Sequence, residues 1–106
     1  VQTFEIDAAQ SWQPTVEVRA GQTVTIRARG TWTHYPAREP YDADGWPDPR
    51  NTDRRGALFG RIGDREFPVG KTARFVAPAD GMVELRMNDG DHSDNSGSLM
   101  VQIEVR

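Results

Sequence analysis

Apolar and polar positions alternate along most of the chain. Thr15-Val16-Glu17-Val18-Arg19 alternates, and after Ala20-Gly21-Gln22 the pattern resumes in Thr23-Val24-Thr25-Ile26-Arg27-Ala28-Arg29. Successive side chains of a strand point to opposite faces, so Val24, Ile26 and Ala28 belong to a core and Thr23, Thr25, Arg27 and Arg29 to water. The short connection through Gly21 predicts a hairpin of the two strands. The apolar run Gly56-Ala57-Leu58-Phe59-Gly60-Arg61-Ile62-Gly63, a turn at Asp64-Arg65 and the strand Glu66-Phe67-Pro68-Val69 predict another hairpin, ended by Gly70. Lys71-Thr72-Ala73-Arg74-Phe75-Val76-Ala77 then leads into a turn at Pro78-Ala79-Asp80-Gly81. Met82 to Met87 alternates again, and Leu99, Val101, Ile103 and Val105 share one face of a last, core strand. No segment sustains a 3.6-residue period. The pattern therefore predicts an all-β fold, a two-sheet antiparallel sandwich, with a small barrel as the other way of closing so many short strands.

Two segments break the alternation. Residues 33 to 55 carry four prolines (Pro36, Pro40, Pro47, Pro49), the acidic cluster Asp42-Ala43-Asp44, Trp46, and the arginines Arg50, Arg54 and Arg55. Loops of this length in a small domain are usually functional. Residues 88 to 98, Asn-Asp-Gly-Asp-His-Ser-Asp-Asn-Ser-Gly-Ser, are polar or glycine throughout.

Composition narrows the function. At 106 residues the chain fits a single domain, 1–106, and 13 Lys+Arg against 16 Asp+Glu give a net charge of -3, which argues against a nucleic-acid partner that must be neutralised phosphate by phosphate. No apolar stretch approaches the ~18 residues of a membrane span, and Val1 to Glu5 lack a basic-then-apolar leader profile, so a soluble chain without membrane insertion is expected. Without cysteine there is no disulfide, thiolate nucleophile or Cys-based zinc site.

Asp89, Asp91, Asp94 and Asn95 crowd three carboxylates and an amide into seven residues, an arrangement of hard oxygen donors that calcium favours. The alternative is a solvated turn, since Asp, Asn, Gly and Ser are ordinary turn residues. The spacing is not that of an EF-hand: counted from Asp89, the sixth position is Asp94 instead of Gly and the twelfth is Met100 instead of Glu. A calcium site here must borrow further ligands, such as main-chain carbonyls of the long loop. Trp46, between Asp44-Gly45 and Pro47-Asp48, offers an indole face beside carboxylates, suited to the apolar face of a sugar; its other reading is a plug holding the loop onto the sandwich. Trp12 and Trp32 are expected in the core, and His34 and His92 at the surface. Asp42, Asp44, Asp48, Asp89 and Asp94 could supply a glycosidase carboxylate pair, but no Gly-x-Ser-x-Gly elbow, HExxH or phosphate-cradling glycine loop occurs, and no enzyme activity is expected.

Four pieces together resemble the PA-I-type galactophilic lectins of bacteria, calcium-dependent β-sandwiches that bind galactose. They are Gly30-Thr31-Trp32-Thr33-His34-Tyr35, the run from Gly56 to Gly63, Phe75-Val76-Ala77-Pro78, and Asn88-Asp89 through Asp94-Asn95-Ser96-Gly97-Ser98. The resemblance implies calcium as cofactor, held by the side chains of Asp89, Asp94 and Asn95 and the main-chain oxygens of Asp91 and Tyr35. It implies a sugar that completes the calcium shell with two adjacent hydroxyls while Asp89 and Asp94 accept hydrogen bonds. Trp46-Pro47-Asp48-Pro49 stands where the family has a His-Pro-Asp-Gln contact segment, which places Trp46, Pro47 and Asp48 at the sugar but removes the His and Gln. Asp94 stands where Asn is usual, and the loop from Asp89 to Asp94 is shorter. The implied partner is a galactoside or another glycan, outside the cell, at its surface or in the periplasm, with the module tethered to a parent enzyme or assembled as a homo-oligomer. Two rival readings are a calcium-stapled structural module that binds no sugar and a small hydrolase using the acidic loop.

Overall fold

Eight strands take up the alternating segments, and no helix occurs among the described residues, 1–35 and 39–106, of this computed structural model. In chain order they are β1 (Gln2–Asp7), β2 (Gln13–Val18), β3 (Thr23–Thr33), β4 (Leu58–Ile62), β5 (Arg65–Pro68), β6 (Thr72–Val76), β7 (Gly81–Met87) and β8 (Ser96–Val105). They form two four-stranded antiparallel sheets, ordered β1-β8-β3-β6 and β2-β7-β4-β5, so the sandwich forms and the barrel does not.

The inward positions are those that the alternation marks. Val24, Ile26, Leu99, Val101 and Ile103 from one sheet and Leu58, Val83, Leu85 and Met87 from the other are buried in one core cluster. Each such side chain contributes about 1.5–3 kcal/mol by leaving water. Trp32 joins them at 1% exposure, its indole N–H donating to the Gly56 carbonyl at 2.7 Å.

The β4–β5 hairpin forms as expected, with its turn one residue earlier, at Gly63-Asp64. The hairpin expected between β2 and β3 does not. β2 pairs with β7 and β3 with β8 and β6, so residues 19–22 arch from one sheet to the other. Alternation fixes the face a side chain takes but not the strand it pairs with, and separate sheets let Val16 and Val18 enter the core from the side opposite Val24 and Ile26. Strand β1, unmarked by a strong pattern, lies on β8 with Phe4 opposite Val101 and Ile6 opposite Leu99. Trp12 also departs from expectation: it is half-buried beneath the guanidinium carbons of Arg61 and Arg86, 4.7 and 4.2 Å from its ring centroid. A face already covered by two cations gains from the ring quadrupole without entering the core.

Candidate functional site

The long loop is tied to the sandwich residue by residue. Trp32 and Tyr41 exchange main-chain hydrogen bonds at 3.0 and 2.9 Å, and Leu58 N–H donates to the Ala43 carbonyl at 2.9 Å. At the far end of β7 the ladder runs on one step: Asn88 N–H donates to Ala57 and Gly56 N–H to Asn88, both at 2.8 Å. The Asn88 side-chain amide then donates to the carbonyls of Asp53 and Arg54 at 2.9 and 3.2 Å, locking the loop beside the acidic segment. Gly56, at φ 84°, leaves no room for a Cβ because the Tyr41 ring lies against it.

These ties bring Asp89, Asp91 and Asp94 to one depression of about 300 Å³, lined also by His34, Tyr35 and Arg55. The Asp91 carboxylate accepts from Ser93 Oγ at 2.7 Å and Ser93 N–H at 2.9 Å, and the hydroxyl foremost, then the amide, holds it below the usual carboxylate range. Its side chain is thus committed within the loop. The Thr33 hydroxyl donates to the Tyr35 carbonyl at 2.9 Å and accepts from Tyr35 N–H at 3.2 Å, which fixes that carbonyl in place. Asn95, adjoining Asp94 and only 7% exposed, donates its amide to the Ala8 carbonyl at 2.9 Å and approaches Met87 Sδ at 3.3 Å. Its Oδ1 is buried and accepts no hydrogen bond among the described residues. A buried acceptor without a partner is costly and calls for an explanation such as an ion.

His34 and His92, expected at the surface, are half-buried and hydrogen-bonded. His92 Nε2 donates to the Met87 carbonyl at 2.9 Å, and His34 N–H donates to the Tyr41 hydroxyl at 3.0 Å. That hydroxyl also bonds to His34 Nδ1. Burial pushes the Tyr41 hydroxyl up to about 12, the His34 amide opposes this, Asp89 adds to it, and Arg55 lowers it. Tyr41 therefore feels Asp89 and Arg55, two of the charged residues that line the depression.

The other candidate residues lie around this centre. Trp46 is half-buried against the core cluster and meets the His34 ring at 5.3 Å, and with Glu39, Pro40, Tyr41 and Pro47 it lines a neighbouring depression of about 340 Å³. Asp48 is held by Arg50 through contacts of 3.0 and 2.8 Å. Asp42 and Asp44 lie 3.7 Å from Lys71 Nζ, outside the depression lined by Asp89 and Asp94. Arg55 and His34 line the depression although the sequence pattern assigns neither a role there; the position of Arg55 depends on Asn88 and Asn51, neither of which has a periodic signature.

Among the described residues no three His, Asp or Glu side chains converge into a cluster able to hold a metal alone. The chemistry of the residues is nonetheless that of hard oxygen donors: Asp89, Asp91, Asp94 and Tyr35 line the depression, and the orphaned Asn95 Oδ1 adjoins Asp94 in sequence, so with main-chain carbonyls a mixed set could hold a hard cation.

Two packed antiparallel sheets with an acidic depression beside the long loop make an all-strand β-sandwich that matches a lectin domain in fold. Among solved structures, the N-terminal domain of EclA, described as a PllA-like lectin, matches with a TM-score of 0.82 at 27% sequence identity, covering 100% of this chain and 97% of that one. No family model matches the chain, and no curated protein matches it in sequence.

Proposed function

We propose that the chain is a non-catalytic, calcium-dependent carbohydrate-binding module that takes a galactoside or a related sugar. The observation that carries this reading is the gathering of Asp89, Asp91, Asp94 and Tyr35 at one depression, with the buried, unpartnered amide oxygen of Asn95 on the residue next to Asp94. The lectin fold shared with the EclA domain and the motif resemblance to PA-I-type lectins support it. Asp89, Asp94 and Asn95 would hold the ion by their side chains, and Asp91 and Tyr35 by their carbonyls. Calcium accepts six to eight oxygens, so when bound it supplies positions for two adjacent sugar hydroxyls. Asp89 and Asp94 would accept the hydrogens of those hydroxyls, and Trp46 and Pro47 would wall the sugar from the neighbouring depression. Single-site affinity is expected to be weak, with avidity gained from several copies or a tethered partner, in an extracellular, surface or periplasmic setting.

The clip from Asn95 to Ala8 favours a second reading, a calcium staple between the acidic loop and the end of β1 without sugar binding. Titration calorimetry with calcium and then a galactoside separates the two, and the variants Asp89→Asn and Asp94→Ala test the ligand set common to these readings. Both variants should lose calcium affinity at least about tenfold and lose sugar binding with it. Calcium binding by the unaltered protein with no sugar heat would leave only the staple.

A further inference from the structure

Arg55 is mounted with unusual care for an exposed side chain. Its N–H donates to Asn51 Oδ1 at 2.9 Å, its carbonyl accepts from Asn51 Nδ2 and from Trp46 N–H at 3.0 Å each, and Asn88 holds the carbonyls of the two residues before it. The preceding Arg54 takes a φ of 59°, a left-handed conformation that a non-glycine residue adopts only when its surroundings enforce it. Arg55 lines the depression with Asp89, Asp91 and Asp94, yet among the described residues no carboxylate lies within ion-pair distance of its guanidinium. Arg50, in the same loop, is by contrast tied to Asp48 by two contacts. A fixed main chain that presents an unpaired guanidinium to an acidic depression is a receptor for an anionic group, provided that the carboxylates are occupied by a cation.

We propose that Arg55 makes this site selective for acidic sugars of the hexuronate class, its guanidinium pairing with the sugar carboxylate while two adjacent hydroxyls reach the calcium. The inference rests on the calcium-dependent reading above. Three carboxylates repel a sugar acid in the absence of the ion; calcium offsets two of those charges and leaves the guanidinium as the group facing the ligand's own carboxylate. Arginine suits this better than lysine, because its planar fork matches a carboxylate with two parallel hydrogen bonds.

The test uses methyl α-D-galactoside and methyl α-D-galacturonide, which differ only at C6, titrated into the calcium-loaded protein. The galacturonide should bind about fivefold more tightly, the ratio an exposed ion pair supports. Arg55→Gln should bring the ratio to about one, and Arg55→Lys should keep part of it. Calcium titration of Arg55→Gln should show the ion binding about two- to fivefold more tightly, because a like charge facing it is gone. Equal affinity for both glycosides, or a ratio that survives in Arg55→Gln, would overturn the inference and leave the lectin reading standing; the second result would mean that the carboxylate goes to calcium instead. No heat from either glycoside would remove the lectin reading and this inference together.

Discussion

Asn95 carries two roles in one amide. Its Nδ2 closes the acidic loop onto Ala8, and its Oδ1 waits, buried, for a donor or an ion. Asn95→Ala should therefore lower stability by about 1–3 kcal/mol, because the Ala8 carbonyl loses its partner. On the calcium reading the unaltered protein should melt higher with calcium, and the same change should abolish that rise; a calcium-induced rise that persists would take Asn95 out of the ligand set. Tyr41 makes a separate prediction. Its hydroxyl ionises at about 12 instead of 10.0 because burial favours the neutral phenol. A raised acid pKa adds stability that is whole below about pH 10 and is lost as pH rises toward about 12. Ultraviolet titration at 295 nm should show one tyrosine ionising near the upper value, and Tyr41→Phe should remove that step and cost about 1 kcal/mol at neutral pH, since His34 N–H loses its acceptor. A phenol that ionises at its ordinary value would contradict the packing described around it.

The elements show what alternation can and cannot encode. Leu99, Val101 and Ile103 are buried as their spacing requires, and the β4–β5 hairpin follows from its glycine turn. The pairing of β2 with β7 is not encoded locally, because an amphipathic strand satisfies its ladder equally well beside any neighbour of matching face. β1 escapes notice because only Phe4 and Ile6 mark its inner face. The acidic loop announces its chemistry through composition, whereas Arg55 is set at the site by contacts that alternation does not record: Asn51 within the loop, Asn88 on the carbonyls of Asp53 and Arg54, and Tyr41 on Gly56. Gly56 is the joint of that assembly. Gly56→Ala would set a Cβ into the Tyr41 ring at a left-handed φ, and thermal unfolding should show a loss of about 1–3 kcal/mol. Calcium affinity should fall in the same variant, since the ring holds His34 and thereby the rim of the depression. A stable Gly56→Ala protein with unchanged calcium binding would mean that the loop and the acidic segment are not coupled.

For the molecule as a whole, the sandwich is a rigid base whose loops at one end gather the chemistry. The outer strand faces carry scattered charge, and the three carboxylates of residues 89 to 94 sit on the connection that leads from β7 in one sheet to β8 in the other, where they line one depression. The central claim is that metal and sugar share that place. The measurement that reaches it most directly is a titration of methyl α-D-galactoside into chelator-stripped protein, then into the same protein after calcium is restored, with heat as the readout. No sugar heat is expected without calcium, with a saturable calcium isotherm and sugar heat once calcium is bound. Sugar binding at full strength in the presence of EDTA would contradict the shared site.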